Sequence, residues 1–212
     1  MKQLKTALFD FDGVIADTES IYDTFWDEMG LRYQVPYEHF AHIIKGTTVF
    51  QIIDKYFSKF PKETQTKIIK ESNEFDYTMP IPPLPGSVKF VKELKKNGVK
   101  IGLVTSSDNK KMVRALQLLD LTDTFDTLVT SNRITRSKPD PMCFLLGASD
   151  LKTEPAQCLV FEDSLAGIEA GNRAGMRVIG LSTTNPAEAI RDKVYTVIPN
   201  FAGLTFDDYM KW

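Results

Sequence analysis

Acidic, hydroxyl and lysine side chains occur at four places in the sequence that we assign to the ends of strands. These places are Asp10-Phe11-Asp12-Gly13, Thr105-Ser106-Ser107, Ser137-Lys138-Pro139-Asp140-Pro141 and Phe161-Glu162-Asp163-Ser164. Carboxylates can attack phosphorus, move protons or bind a hard cation, whereas hydroxyl and ammonium groups can bind an anion. We therefore predict that the four places come together and form one phosphate site.

The first place holds two carboxylates in close spacing. Asp10 and Asp12 lie two residues apart, so in a strand conformation both side chains point to the same side. One carboxylate can then attack a ligand while the other moves protons. Taken alone, such a pair is also compatible with capping a following helix, which is the alternative for these two residues.

The fourth place supplies two more acids, Glu162 and Asp163. Their carboxylate oxygens favour a hard cation, and magnesium is the expected one. Without a cation these acids would repel each other and a bound phosphate. The alternative is that they cap the helix that follows at Ser164.

Lys138 and the segment Thr105–Ser107 are candidates for binding phosphoryl oxygens. Pro139 restrains the backbone of Lys138, so the ammonium group has a more predictable position than that of a mobile surface lysine, the alternative for this residue. Thr105–Ser107 offers hydroxyls and backbone N–H groups at a strand-to-helix turn, which suits an anion. The same residues are also ordinary helix caps.

The pattern of apolar residues predicts how these places are positioned. An apolar strand, Ala7–Phe9, ends at Asp10, and Gly13 permits a sharp turn. Residues 15–77 show helical spacing without strand patterns, and the proline cluster of residues 79–86 ends that interval as a candidate hinge. We therefore predict a helical insertion over residues 15–85.

After residue 86, helices alternate with apolar strands. The predicted strands are 99–105, 127–130, 159–161 and 178–179, and a short helix is predicted over residues 204–212. Strands that are apolar on both faces and alternate with helices predict an α/β fold with a doubly wound parallel sheet, which binds ligands at the carboxyl ends of its strands. Residues 1–14 and 86–212 would form this catalytic domain, and residues 15–85 the all-helical cap.

Composition favours a small ligand over a macromolecule. The chain has 212 residues and a formal charge of −2, so no strong field indicates nucleic acid or a membrane as partner.

The apolar run at the start is too short for a signal peptide, and two cysteines without CxxC spacing indicate neither a disulfide framework nor a zinc site. His39 and His42 could share a helical face, but a metal site there is the less favoured interpretation. We expect a cytoplasmic protein with no obligate protein partner.

Taken together, the four places resemble a known family. The segments LFDFDGVIADTES, LVTSS, SKPDP and VFEDSLAGIEAGNRAG occur in this order and span nearly the whole chain. They resemble the haloacid dehalogenase-like hydrolase superfamily, specifically its phosphatase and beta-phosphoglucomutase-like branch, which carries a helical cap after the first strand. The resemblance implies a Rossmann-like core with that cap.

The resemblance also implies roles for the acidic residues. Asp10 would be the nucleophile that forms an aspartyl phosphate, and Asp12 would protonate the leaving oxygen and then activate the incoming water or hydroxyl. Asp10, the backbone carbonyl of Asp12 and Asp163 would bind magnesium. Glu162 would either bind magnesium directly or contact the residues that bind it.

By the same resemblance, Thr105, Ser106 and Lys138 would bind the phosphoryl group of a small phosphorylated substrate. The cap segment Lys45-Gly46-Thr47-Thr48-Val49 resembles the substrate loop of the mutases, which makes Gly46 a candidate substrate-binding residue.

Three residues depart from the mutase pattern. Tyr22 stands where mutases usually have a histidine, Val49 where an arginine would bind a second phosphate, and Asp108 where mutases have a lysine. Each charge-assisted contact is typically worth about 2 kcal/mol, so losing two should weaken binding of a bisphosphate.

We therefore expect a phosphatase that acts on a small phosphorylated metabolite, for example a sugar phosphate, with a phosphosugar mutase as the alternative. A phospho-acceptor module without turnover and a dehalogenase are both disfavoured by Asp12, since an adjacent acid and base promotes breakdown of an aspartyl phosphate.

Overall fold

Strands and helices alternate along the part of the chain that the computed structural model describes, residues 6–45 and 47–212. The strands are β1 (Thr6–Phe9), β2 (Ile101–Val104), β3 (Thr127–Val129), β4 (Cys158–Glu162), β5 (Arg177–Leu181) and β6 (Thr196–Ile198). The α-helices are α1 (Glu19–Arg32), α2 (Phe40–Ile44), α3 (Val49–Tyr56), α4 (Lys62–Thr78), α5 (Ser87–Lys96), α6 (Asn109–Leu118), α7 (Met142–Asp150), α8 (Leu165–Arg173), α9 (Ala187–Ile190) and α10 (Phe206–Tyr209). Short 3-10 turns cover Ser131–Arg133, Pro155–Gln157 and Arg191–Lys193.

The strands form one parallel sheet in the order β3-β2-β1-β4-β5-β6. From β1 the chain adds β2 and β3 on one side, and it then returns to add β4, β5 and β6 on the other. The order therefore reverses beside β1, and a crevice opens there at the carboxyl ends of the strands. This topology confirms the predicted doubly wound sheet and brings the residues that follow β1, β2 and β4 to one edge.

Alternate residues of each strand bury opposite faces of the sheet. Phe9 and Phe161 lie on one face and stack with ring centroids 4.5 Å apart, in a cluster that also holds Phe90 of α5. Leu8 and Val160 lie in a separate cluster on the other face, together with side chains of α7 and α8. Because helices cover both faces, the strands have to be apolar throughout, which explains the apolar runs in the sequence.

Helices α1 to α4 form the predicted helical cap between β1 and β2, and they have an apolar core of their own. That core is built from Trp26, Met29, Phe40, Ala41, Ile44, Ile52, Ile53, Phe57 and Ile68. The two connections to the sheet domain run side by side, since Asp17 N–H donates to Pro82 O at 2.8 Å and Leu84 N–H donates to Ile15 O at 2.9 Å. The domain bounds at residues 14/15 and 85/86 stay a prediction.

Two elements near the end of the chain differ from the sequence prediction. Strand β6 was not predicted, because it has three residues at the edge of the sheet and only Ile198 among them is buried. The predicted helix over residues 204–212 is limited to α10, which begins at the Thr205 cap. Tyr209 of α10 is buried in the same apolar cluster as Phe9 and Phe161, and Trp212, beyond the helix, packs against that cluster.

We expect the Leu103→Ala substitution in β2 to lower the free energy of unfolding by about 2 to 5 kcal/mol, because it removes buried methyl groups and leaves a cavity. Leu103 is fully buried, whereas Leu118 of α6 is 60% exposed, so Leu118→Ala serves as the matched control and should change stability by less than about 0.5 kcal/mol. Urea unfolding followed by circular dichroism measures both values. Equal losses in the two variants would contradict the buried position of β2.

Candidate active site

A cavity of about 230 Å³ lies between the carboxyl edge of the sheet and the cap. Asp10, Asp12 and Lys138 line it from the sheet side, and Tyr22 and Trp26 of α1 line it from the cap side. Thr105, Ser106 and Asp163 also face the cavity. The structure thus brings together side chains from all four places that the sequence singles out, while their individual roles stay predictions.

Three carboxylates form a buried cluster in the crevice beside β1. Asp10 follows β1, and Glu162 and Asp163 lie at the end of β4. Each offers an oxygen, and these oxygens all lie within 4.8 Å of one another. Buried oxygen atoms at this spacing suit a hard divalent cation.

Burial makes the negative charge of this cluster costly. Burial raises the pKa of Asp10 to about 7. The positive charge of Lys138 opposes this rise, and the negative charges of Glu162 and Asp12 add to it. The pKa of Asp163 is raised well above its usual value, first by burial and then by repulsion from neighbouring carboxylates, of which Glu162 contributes most. A cation at the cluster would relieve this repulsion.

Lys138 links two of the three carboxylates. Its Nζ atom donates to Asp10 Oδ1 at 2.6 Å and to Glu162 Oε1 at 2.5 Å, and the residue is only 4% exposed. Burial opposes the ammonium charge, but Asp10 and Glu162 outweigh it, so the pKa of Lys138 lies above its ordinary value. The alternative of a solvated surface lysine is therefore wrong for this residue.

Both oxygens of Glu162 accept hydrogen bonds. Besides Oε1 with Lys138, Oε2 accepts from the backbone N–H groups of Asp163 and Ser164 at 2.8 and 2.9 Å. The side chain lies so close to α8 that a Cβ on Gly167 would come within 1.7 Å of Glu162 Oε1. Glu162 thus anchors Lys138 to the start of α8, and Ser164 caps that helix through Gly167 N–H at 3.0 Å.

Asp163 lies against the turn that follows β1. Gly13 has a φ of +77°, and a Cβ there would come within 2.0 Å of Asp163 Oδ2, so this position requires glycine for both conformation and space. The loop after β5 holds the same residue, because Thr184 Oγ1 donates to Asp163 Oδ2 and Asn185 Nδ2 donates to Asp163 O at 2.9 Å. Sequence analysis missed this loop, although its run of polar residues follows an apolar strand.

Asp12 is surrounded by hydrogen-bond donors. Thr18 Oγ1 donates to Asp12 Oδ1 at 2.6 Å, and Ser107 Oγ donates to Asp12 Oδ2 at 3.0 Å. Lys111 Nζ donates to both carboxylate oxygens, at 2.7 and 2.8 Å. Sequence analysis also missed Lys111, for which the available indication was its position in the first turn of α6, four residues after Ser107.

The other predicted phosphate-binding residues line the cavity where the structure describes them. Thr105 is 2% exposed, and its Oγ1 accepts from Ser107 N–H at 3.1 Å, which shapes the turn after β2. Ser106 faces the cavity beside it. Gly46, the predicted substrate-binding residue of the cap, lies outside the described residues.

The residues that depart from the mutase pattern have other partners here. Asp108 caps α6, since its carboxylate accepts from Lys111 N–H at 2.8 Å, and it also accepts from Tyr77 OH at 2.8 Å. Tyr22 OH donates to Asp76 of α4 at 2.6 Å. Val49 lines the cavity without bringing a charge to it.

A family model described as haloacid dehalogenase-like hydrolase matches residues 7–181, which is most of the chain. The chain belongs to this family. Among the relatives of this chain, the validoxylamine A 7'-phosphate phosphatase of Streptomyces hygroscopicus subsp. limoneus is 30% identical over 192 residues. The match covers 89% of this chain and 90% of the relative. The beta-phosphoglucomutase of Bacillus subtilis is 30% identical over 196 residues, covering 86% and 85%.

The structure is also similar to a solved one. The crystal structure of beta-phosphoglucomutase from Clostridium difficile superposes with a TM-score of 0.82 at 25% identity, covering 99% of this chain and 98% of that one. These similarities confirm the predicted family, its fold with a helical cap, and an enzyme of the phosphatase and phosphomutase type. Within residues 6–45 and 47–212, none of the helices combines the length and apolar character that crossing a bilayer requires.

We expect magnesium to stabilise the fold more strongly as the pH rises from about 5 to about 8. Because the pKa of Asp10 rises from 3.8 to about 7 on folding, the metal-free folded state binds more protons than the unfolded state over this range. Its stability therefore falls as the pH rises, whereas a cation that replaces those protons binds more tightly. Calorimetric melting temperatures with magnesium chloride, against sodium chloride at equal ionic strength, measure the difference. A magnesium-induced rise in melting temperature that does not depend on pH would contradict binding of the ion at Asp10.

We also expect Gly13→Ala to abolish saturable magnesium binding in calorimetric titration, because the new methyl group would displace the Asp163 carboxylate. Gly98→Ala is the matched control, since Gly98 has a similar φ of +76° and nothing within 4 Å of an added Cβ. The control should keep binding and lose only about 1 kcal/mol of stability from backbone strain. Magnesium binding by Gly13→Ala at the wild-type affinity would show that Asp163 is not a ligand.

Proposed function

We propose that the protein is a magnesium-dependent phosphatase that hydrolyses a small phosphorylated metabolite through an aspartyl phosphate on Asp10. The observation that carries this proposal is the contact of Lys138 Nζ with Asp10 Oδ1, at 2.6 Å, inside the buried carboxylate cluster. An ammonium group beside a nucleophilic carboxylate can hold phosphoryl oxygens while the carboxylate attacks phosphorus.

The reaction would proceed in two steps. A carboxylate oxygen of Asp10 bonds to phosphorus while the bond from phosphorus to the substrate oxygen breaks, and Asp12 gives that oxygen a proton. Asp12 then takes a proton from water, whose oxygen attacks the phosphorus of the aspartyl phosphate and releases phosphate together with the Asp10 carboxylate. Hydrogen bonds from Thr18 and Ser107 hold Asp12 at the edge of the cavity, where both steps require it.

The donor set fits magnesium. Asp10, Asp163 and the backbone carbonyl of Asp12 would hold the ion, because they offer hard oxygen atoms near the end of β1. Glu162 has both oxygens engaged, so we assign it the indirect role of holding Lys138 and the start of α8. When bound, the ion supplies positive charge that stabilises the negatively charged phosphoryl oxygens.

Lys138, Thr105 and Ser106 would bind the phosphoryl group, and the cap would enclose the remainder of the substrate. The cap side of the cavity is lined by the polar residues Glu19, Asp23 and Asn73 and by the aromatic Trp26, a mixture that suits hydroxyl groups on an apolar ring. A sugar phosphate has this character, and a relative of 30% identity is named as a phosphatase of validoxylamine A 7'-phosphate. These points support a phosphorylated carbohydrate as the substrate.

A phosphosugar mutase is the alternative, favoured by the similarity to the beta-phosphoglucomutases of Bacillus subtilis and Clostridium difficile. A mutase has to hold a bisphosphate, whose second phosphate needs positive charge on the cap side of the cavity. Val49 brings none, and Asp108 is a carboxylate engaged as a helix cap. Lys45, which lines the same wall, already pairs with Glu19 at 2.5 Å and with Asp23 at 3.0 Å. We therefore favour water as the acceptor.

A screen of phosphorylated carbohydrates tests the proposed function. Purified protein is incubated with and without magnesium, and both phosphate release and isomerisation are measured, the latter with a sugar bisphosphate as primer. A phosphatase releases phosphate in a magnesium-dependent manner without the primer. Isomerisation that depends on the primer, with little phosphate released, would instead establish the mutase.

We expect Asp10→Asn to lower turnover about a thousandfold or more, because the amide cannot replace the nucleophilic carboxylate. The fold should persist, as judged by circular dichroism, because the amide has nearly the same shape. Asp120→Asn is the matched control, since Asp120 is exposed and pairs with Lys92 on the surface. Substantial turnover by Asp10→Asn would remove Asp10 as the nucleophile.

A further inference from the structure

One fully buried lysine has no role in the reaction described above. Lys111 of α6 is 0% exposed, and its Nζ atom makes four polar contacts. Two are with the oxygens of Asp12, at 2.7 and 2.8 Å, one is with Ser107 Oγ at 3.0 Å and one is with Tyr22 OH at 2.5 Å. An unpaired ammonium group is too costly to bury, so this position depends on its partners.

Lys111 is enclosed by the sheet domain and the cap together. Its Nζ lies 5.5 Å from the ring centre of Phe11 on the sheet side and 4.6 Å from that of Tyr22 on the cap side. Tyr22 OH accepts from Lys111 and donates to Asp76, so the contacts continue into α4 of the cap. Asp12, Ser107 and Tyr22 all line the cavity, and among them Asp12 is the charged group that Lys111 contacts.

We propose that Lys111 is a positioning residue for Asp12, the general acid and base of the proposed function on which this inference rests. A carboxylate held through one oxygen can still turn about its bond to Cβ. Here one ammonium group holds both oxygens, and the hydroxyls of Thr18 and Ser107 hold one oxygen each, so the plane of the carboxylate is fixed. Proton transfer depends steeply on such placement, and an error of about 1 Å can cost about a hundredfold in rate.

A direct role in binding substrate is disfavoured by the same contacts. The ammonium group of Lys111 is fully buried, and Asp12 and Ser107, which both line the cavity, are among its nearest partners. Lys138, by contrast, lines the cavity itself. The two buried lysines thus have different partners: Lys138 contacts the proposed nucleophile, Asp10, and Lys111 contacts Asp12, the group that moves protons.

Lys111→Met tests this role, because methionine fills a similar volume without the charge. The probe is 4-nitrophenyl phosphate, whose leaving group departs without a proton, so formation of the aspartyl phosphate no longer needs Asp12 as an acid. Hydrolysis of that intermediate still needs Asp12 as a base. We expect a rapid burst of about one 4-nitrophenolate per enzyme at nearly the wild-type rate, followed by turnover about a hundredfold slower than in the wild type.

A purely structural role for Lys111 gives a different result. Loss of folded protein would lower the burst and the later turnover in the same proportion, leaving their ratio at the wild-type value, and this outcome would overturn the proposal. Lys89→Met, at an exposed position on α5, is the matched control and should keep the wild-type ratio. Glycerol 3-phosphate, whose leaving oxygen needs a proton, should give no burst with Lys111→Met, because both steps are slowed.

A second variant keeps the test decisive if Lys111→Met does not fold. Tyr22→Phe removes the contact of Lys111 with Tyr22 OH, together with the hydrogen bond from that hydroxyl to Asp76, and it keeps both contacts of Lys111 with Asp12. We expect it to raise the ratio of burst rate to steady rate by about threefold or more. An unchanged ratio in this variant would overturn the proposal. Failure of the wild-type chain to hydrolyse either ester with magnesium would overturn the proposed phosphatase as well, whereas wild-type turnover with unchanged ratios in the variants rejects only the role of Lys111.

Discussion

The repulsion among three buried carboxylates is the constraint on which the site depends. Asp10, Glu162 and Asp163 place oxygens within 4.8 Å of one another, and Lys138 is the cation that contacts two of them. One ammonium charge cannot balance three carboxylates, so the cluster keeps an affinity for further positive charge. That affinity is useful in a phosphatase, because the same charge then stabilises the phosphoryl group.

The sheet makes this arrangement rigid. Parallel strands end at one edge, so the residues that follow β1 and β4 meet there without long loops, and the strand order reverses between them. Two positions without a side chain complete the packing. Gly13 leaves space for the Asp163 carboxylate, and Gly167 leaves space for that of Glu162. Backbone close to the acids thus limits where they can move, and the glycines in the family motifs have a direct physical purpose.

The sequence predicted what depends on local pattern. Apolar runs that alternate with helical segments identified five of the six strands, and the spacing of Asp10 and Asp12 indicated a pair directed at one ligand. Contacts that arise when separate elements pack could not be predicted in this way. A lysine in a helix is usually a surface residue, and only the placement of α6 against Asp12 and Tyr22 reveals the partners of Lys111. The short edge strand β6 was missed because it is only half buried, so its sequence lacks a long apolar run.

The paired connections between the cap and the sheet domain bear on how such enzymes diversify. The two connecting segments are joined by main-chain hydrogen bonds, from Asp17 N–H to Pro82 O and from Leu84 N–H to Ile15 O. These bonds lie a few residues along the chain from Asp12. Hydrogen bonds between main-chain atoms do not depend on which side chains the cap carries. Mutations that reshape the cap wall can therefore accumulate over generations and change which organic group is accepted, while the phosphorus chemistry beneath is inherited intact.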